Sequence, residues 1–222
     1  MAYYPIMVDL TDKEVLVVGG GSVAGRKIAT LLEYGAVVSL VSRELSPEIK
    51  GYVESGRIRY LGEEFSMVFL KEKFLVIAAT DDAELNHRIS QVAEEKGMLI
   101  NAVDQPVDCN FIVPSIIKKG DLVVAVSTSG KSPALAKKIR KQLTEYFDDE
   151  YEPFLRMLGR IRSEVVSSGS DPEENSRLFT RIIDSKLFDA VKTGALDDAA
   201  LILAEILGRD ISINNIEDYI RE

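Results

Sequence analysis

One stretch constrains this chain more than any other: Glu14-Val15-Leu16-Val17-Val18-Gly19-Gly20-Gly21-Ser22-Val23-Ala24-Gly25-Arg26-Lys27. An apolar run, a glycine turn and a helix opening follow one another without a gap. Gly19, Gly21 and Ala24 fit the pattern G-x-G-x-x-A. In that pattern the first glycine permits a tight turn and the second leaves the main chain bare for a pyrophosphate. The small third residue lets helix and strand pack closely. A helix opening near Ser22 offers free N–H groups and the positive end of its dipole to an anion. Arg26 and Lys27 oppose that dipole, and a bound dianion would offset the penalty. The plain alternative is a glycine turn in an ordinary α/β protein. The strand before it and the helix after it favour a dinucleotide site, with Gly19, Gly20, Gly21, Ser22, Val23 and Ala24 as its first contacts.

The rest of the first half repeats the alternation. The first helix carries Val23, Ile28, Leu31 and Leu32 on one face and ends at Gly35, a good residue to follow a helix. Ala36 to Val41 reads as a second strand, Arg57 to Leu61 as a third, Phe74 to Ala79 as a fourth and Met98 to Val103 as a fifth. Ser46-Pro47-Glu48 is a cap with proline at the first helical position, opening a helix that runs to about Ser55-Gly56. Asp81 or Asp82 caps a further helix that Gly97 stops. Strands alternating with helices predict a parallel sheet covered on both faces. Pro5 to Leu10 alternates loosely and is expected to form a short edge strand.

A dinucleotide-binding domain of this kind usually ends its second strand with an acid that holds the adenosine ribose. Here the ending is Val41-Ser42-Arg43-Glu44, so the acid comes late. Arg43 can stack on adenine or meet a 2′-phosphate, or it is simply an exposed loop cation. Ser42, Arg43 and Glu44 are the candidate ribose contacts, and the choice between NAD and NADP stays open on these residues. Thr80, where the fourth strand meets the ligand crevice, is a further cofactor candidate. His87 reads as a surface histidine and Cys109 as a packing residue.

Past Val103 the pattern changes. Phe111 to Val113, Ile116 to Lys119 and Leu122 to Ser127 are short β-like pieces, with Gly120-Asp121 as a hairpin turn. Ser132-Pro133 caps a long helix through Phe147 whose N-terminus, with Lys131 beside it, suits an anion; simple capping with a solvated basic face is the alternative. From Asp148 onward the chain reads as helices: Pro153 to Val166, Glu173 to Ile183, Leu187 to Thr193 and Leu196 to Leu207. A loop, Ser167 to Pro172, separates the first two. The expected domains are 1–113, 114–147 and 148–222. A formal charge of −9 in 222 residues argues against a general nucleic-acid binder. One cysteine excludes an internal disulfide, and one histidine with one cysteine leaves no resident metal site of the usual nitrogen and sulfur type. With no signal segment and no apolar run of spanning length, the expectation is a cytoplasmic protein that engages no membrane.

Five segments at consistent spacing carry a resemblance. They are Val17 to Ala24 with Arg26-Lys27, Ala78-Ala-Thr-Asp81, Asn101-Ala-Val-Asp104, Asn110-Phe-Ile-Val-Pro-Ser115, and Val124-Ala-Val-Ser-Thr-Ser-Gly-Lys-Ser-Pro133. Together they closely resemble the precorrin-2 dehydrogenase family of sirohaem synthesis, which includes the N-terminal half of multifunctional sirohaem synthase. Some members also act as sirohydrochlorin ferrochelatase, a lyase activity. The likeness runs from Pro5 to about Phe147; the helical tail is similar only in general character.

The resemblance implies a Rossmann-like parallel sheet, then a short β/helix dimerisation segment, then a C-terminal helical domain. It implies an oxidoreductase using NAD, with precorrin-2 as the tetrapyrrole substrate in a crevice between domains, and a homodimer. The chain looks like the stand-alone form, without a methyltransferase domain. Asp104 matches the family position for a proton-accepting aspartate in oxidation and in metal insertion. Its alternative is a turn-capping carboxylate before Gln105-Pro106. Ser127 matches a position near the tetrapyrrole. Asn110, Ser129 and Lys131 are further candidates toward the substrate, which carries many carboxylates.

Overall fold

The computed structural model describes residues 3–169 and 171–221, so Ser170, in the loop expected before the second tail helix, lies outside them. The chain divides into two compact units, Met1–Val113 and Pro114–Glu222.

The first unit is built on a five-stranded parallel sheet: β1 (Glu14–Val18), β2 (Val37–Val41), β3 (Arg59–Gly62), β4 (Leu75–Ala78) and β5 (Leu99–Ala102), in the order β3-β2-β1-β4-β5. Three helices make connections: α1 (Ser22–Glu33), α2 (Pro47–Glu54) and α3 (Ala83–Glu95), while a 3-10 turn at Met67–Leu70 leads into β4. The strand period of two divides the core. Val15 and Val17 pack with Ile28 of α1 and Ile49 of α2 on one face. Leu16 and Val18 pack with Ile89 and Ala93 of α3 and with Leu70 on the other. Both faces of β1 are therefore sealed, as a continuous apolar run requires.

Local signals set most boundaries. The Ser46 hydroxyl accepts from the Ile49 N–H at 3.5 Å, and Asp82 accepts from the Leu85 N–H at 2.9 Å. Gly35 and Gly97 follow α1 and α3 with φ of +74° and +70°. At the amino end of the sheet, Lys73 Nζ donates to Glu14 at 2.5 Å and to the buried Ser39 hydroxyl at 3.4 Å. Two expected strands do not form. Pro5 to Leu10 is irregular; β3 and β5 hold the sheet edges, and its backbone closes a local turn from Lys13 N–H to the Leu10 carbonyl. Phe111 to Val113 is also irregular.

The second unit begins with an antiparallel pair, β6 (Ser115–Lys119) and β7 (Leu122–Val126), joined by the two-residue Gly120-Asp121 turn. Gly120 has φ +55°, the sign such a tight hairpin needs. Among the described residues six helices follow: α4 (Pro133–Tyr146), α5 (Tyr151–Ser167), α6 (Pro172–Asp184), α7 (Leu187–Lys192), α8 (Leu196–Leu207) and α9 (Ile213–Ile220). Phe154, Met157, Ile161, Ile182, Leu203 and Ile216 form the core of this bundle. The last helix was not expected from the sequence. Its signals are present: a capping box between Ser212 and Asn215, then Ile216 and Tyr219 on one buried face. Arg156 donates to the Ile220 carbonyl at 2.7 Å and Arg160 to the Arg221 carbonyl at 3.0 Å, satisfying groups at the C-terminal end of α9.

Candidate active site

The strand order reverses between β1 and β4. In an open parallel sheet, ligands bind outside the carboxyl ends of the strands at that point. The loops leaving those ends carry most of the candidate residues: Gly19 to Gly21 after β1, Ser42 to Glu44 after β2, Thr80 after β4 and Asp104 after β5.

The three glycines differ in what surrounds them. Gly19 has φ +115°, donates its N–H to the Val41 carbonyl at 2.8 Å, and would set a Cβ 2.2 Å from the Ala79 carbonyl oxygen. A Cβ on Gly20 would fall 2.0 Å from the Glu44 carbonyl oxygen. These two bring the β1, β2 and β4 loops together. A Cβ on Gly21 would meet nothing within 4 Å. Gly21 is the N-cap of α1 and brings no side-chain acceptor. The first-turn N–H groups of Ser22, Val23 and Ala24 therefore face a bare main chain and an open approach. This cradle fits a dinucleotide pyrophosphate.

The neighbouring residues are fixed to different degrees. Ser42 Oγ donates to the Glu44 carbonyl at 2.8 Å, which shapes the loop after β2. Arg43 meets Glu64 at 3.6 Å in an exposed ion pair, and Glu44 is exposed. Thr80 Oγ1 donates to Asn86 Oδ1 at 2.7 Å, and Asn86 Nδ2 donates to the Thr80 carbonyl at 2.9 Å. Asn86 is buried, a positioning residue that sequence reasoning passed over. Its signal was a polar residue in the apolar stripe that continues to Ile89 and Ala93. Lys27 lies half-buried on α1, and burial first, then repulsion from Arg26, lowers its pKa. A cation disfavoured in this way gains from a nearby anion.

Asp104 is exposed at φ +60°, a left-handed conformation uncommon outside glycine. Its carboxylate has no hydrogen-bond or ion-pair partner among the described residues, so it caps no turn. The chain then reverses and runs back beside β5. Asn110 Oδ1 accepts from the Ile100 N–H and Nδ2 donates to the Met98 carbonyl, both at 2.8 Å. Both ends of that amide thus fasten the returning loop to β5. Cys109 is half-buried against the Ala102 backbone, and burial pushes its thiol pKa up. The remaining substrate candidates stand in the second unit. The Ser127 hydroxyl accepts from the Ser129 N–H at 3.0 Å, Ser129 has φ +51°, and Lys131 is exposed before α4, whose cap is Ser132. A hollow of about 560 Å³ in the same unit is lined by Arg156, Arg160, Glu164 and Tyr219. Those groups serve α9: Tyr219 O–H bonds Glu164 at 2.9 Å. No helix among the described residues is long and apolar enough to cross a membrane.

A parallel sheet in this order, with an open glycine cradle at its switch point, defines a dinucleotide-binding protein of the Rossmann type. Residues 6–115 match the family described as "Putative NAD(P)-binding", and residues 119–146 the family described as "Sirohaem biosynthesis protein central". The siroheme synthase of Sodalis glossinidius (strain morsitans) is 38% identical over 207 residues, covering 93% of this chain and 44% of that protein. Siroheme synthase 1 of Serratia proteamaculans (strain 568) is 39% identical over 199 residues, covering 90% of this chain and 42% of that protein. The chain thus spans less than half the length of these curated relatives. A solved structure of SirC, precorrin-2 dehydrogenase, superposes with a TM-score of 0.75 at 28% identity, covering 98% of this chain and 100% of that one. The chain is thus similar along nearly its whole length to a precorrin-2 dehydrogenase structure, and to under half the length of the siroheme synthases.

Proposed function

We propose that this chain oxidises precorrin-2 to sirohydrochlorin with NAD in sirohaem synthesis. The observation that carries the reading is the likeness to a precorrin-2 dehydrogenase structure over nearly the whole of both chains. NAD, when bound, supplies the hydride acceptor. The first turn of α1 would hold its pyrophosphate through the N–H groups of Ser22, Val23 and Ala24, with Gly21 leaving the approach bare and Gly19 and Gly20 letting the loops after β4 and β2 close in beside it. Ser42, Arg43 and Glu44 would meet the adenosine end, and Thr80, bonded to Asn86, would border the cofactor where the chain leaves β4. The macrocycle also loses hydrogen as a proton. Asp104, with an unpartnered carboxylate, is the base that accepts it. Ser127, Ser129 and Lys131 supply hydroxyls and a cation for the substrate's carboxylates. Asn110 holds the returning loop in place.

The reaction is followed by anaerobic incubation with precorrin-2 and each nucleotide, reading the absorbance of sirohydrochlorin. Turnover with NAD is expected. Asp104→Asn is expected to slow it by about 10²–10⁴-fold, the usual worth of a general base. Absence of dinucleotide binding would end the proposal, and full turnover by Asp104→Asn would end the base assignment. A base that takes pyrrole protons also serves metal insertion, so iron uptake by the product is read in the same assay. Among the described residues the β6–β7 pair has no further strand on either edge. That supports a homodimer formed through residues 114–147, tested by light scattering.

A further inference from the structure

Within the turn that presents Asp104, Gln105 N–H reaches the Ala102 carbonyl at 3.3 Å and Asp108 N–H the Gln105 carbonyl at 3.0 Å, closing a short 3-10 turn, Pro106–Asp108, while the Cys109 thiol meets the Gln105 carbonyl at 3.3 Å. Val107 at its tip is 82% exposed. What ties this turn to α3 is three side-chain bonds. Gln105 Nε2 donates to the Ala83 carbonyl at 3.2 Å, and Ser90 Oγ donates to the Asp108 carbonyl at 2.8 Å. His87 Nδ1 meets Asp108 Oδ1 at 2.5 Å. Asp108 is only 8% exposed, and a carboxylate that far from water needs a partner. His87, the single histidine of the chain, is that partner, while its own side chain stays half in solvent.

We infer that His87 and Asp108 form a latch between α3 and the turn after β5, which makes His87 a positioning residue for Asp104. The inference rests on the reading of Asp104 as the base. Without the imidazole, the Asp108 carboxylate turns outward for water and carries with it the left-handed residue four positions earlier. A displacement of about 1 Å at a reacting group costs up to about a hundredfold in rate.

The test uses the full chain with His87→Ala, His87→Asn and Asp104→Asn. Because His87 is exposed, its truncation leaves the core intact. His87→Ala is expected to lower kcat about tenfold or more, with the KM for NAD unchanged within about twofold. Amide exchange at residues 105–109 quickens. His87→Asn, which keeps a nitrogen donor near the Nδ1 position, restores most of kcat and the slow exchange. Full kcat in His87→Ala, with Asp104→Asn slow, overturns the latch and leaves the base reading standing. Equal losses in His87→Ala and His87→Asn overturn the hydrogen-bond account. Full kcat in Asp104→Asn removes the base, and the latch with it.

Discussion

Gly21 separates cofactor binding from folding in a way its neighbours do not. Its φ of −79° and ψ of −174° suit any residue, and a Cβ there meets nothing within 4 Å. Gly21→Ala and Gly21→Val should therefore fold normally. A loss of a few tenths of a kcal/mol at the helix cap is offset by reduced freedom of the unfolded chain. In the proposed binding mode the added carbon would stand where the pyrophosphate approaches. Losing one charge-assisted hydrogen bond to phosphate costs about 1.5–3 kcal/mol. That is about ten- to hundredfold in Kd, with valine worse than alanine. Gly19→Ala behaves in the opposite way. Its Cβ would lie 2.2 Å from a main-chain oxygen at a φ of +115°, so the fold loses about 3 kcal/mol whether or not nucleotide is present. NADH fluorescence titration and thermal melts without ligand read the two effects separately. Wild-type NADH affinity in Gly21→Val, or a melting point as low as that of Gly19→Ala, would refute the reasoning.

Three further outcomes follow from the packing. Glu14→Gln leaves the Lys73 ammonium, whose side chain is 9% exposed, without its counter-charge. Because Glu14 is itself about one-third exposed, the loss should be about 2 kcal/mol in urea unfolding, and Lys73→Met, which removes the buried charge, should cost less. Cys109 should alkylate more slowly than a free thiol at pH 8, with a pH–rate midpoint above 9.0, because burial raises the folded pKa. The folded thiol keeps its proton longer, so this group's contribution to stability is whole below 9.0 and is lost as pH rises through the raised value. A midpoint below 9.0 would contradict the burial. Arg156→Met removes the donor to the Ile220 carbonyl and should cost about 1–2 kcal/mol, with amide exchange rising first in residues 213–220.

The amino-acid sequence alone carried the alternation of apolar runs with capped helices, the hairpin at Gly120-Asp121 and the glycine turn at the head of α1. These depend on periodicity and on backbone preferences spanning a few residues, so they are written locally. Tertiary structure alone decided what each glycine touches: Gly20 abuts the Glu44 carbonyl while Gly21 opens to solvent, although the two are adjacent and identical in type. It also decided that His87 meets Asp108 and that Asn86 locks Thr80. It spent the Asn110 amide on β5 and left Pro5 to Leu10 outside the sheet. Those outcomes turn on the angle at which loops leave the strands and on which groups packing removes from water, and neither is encoded within a single turn of chain.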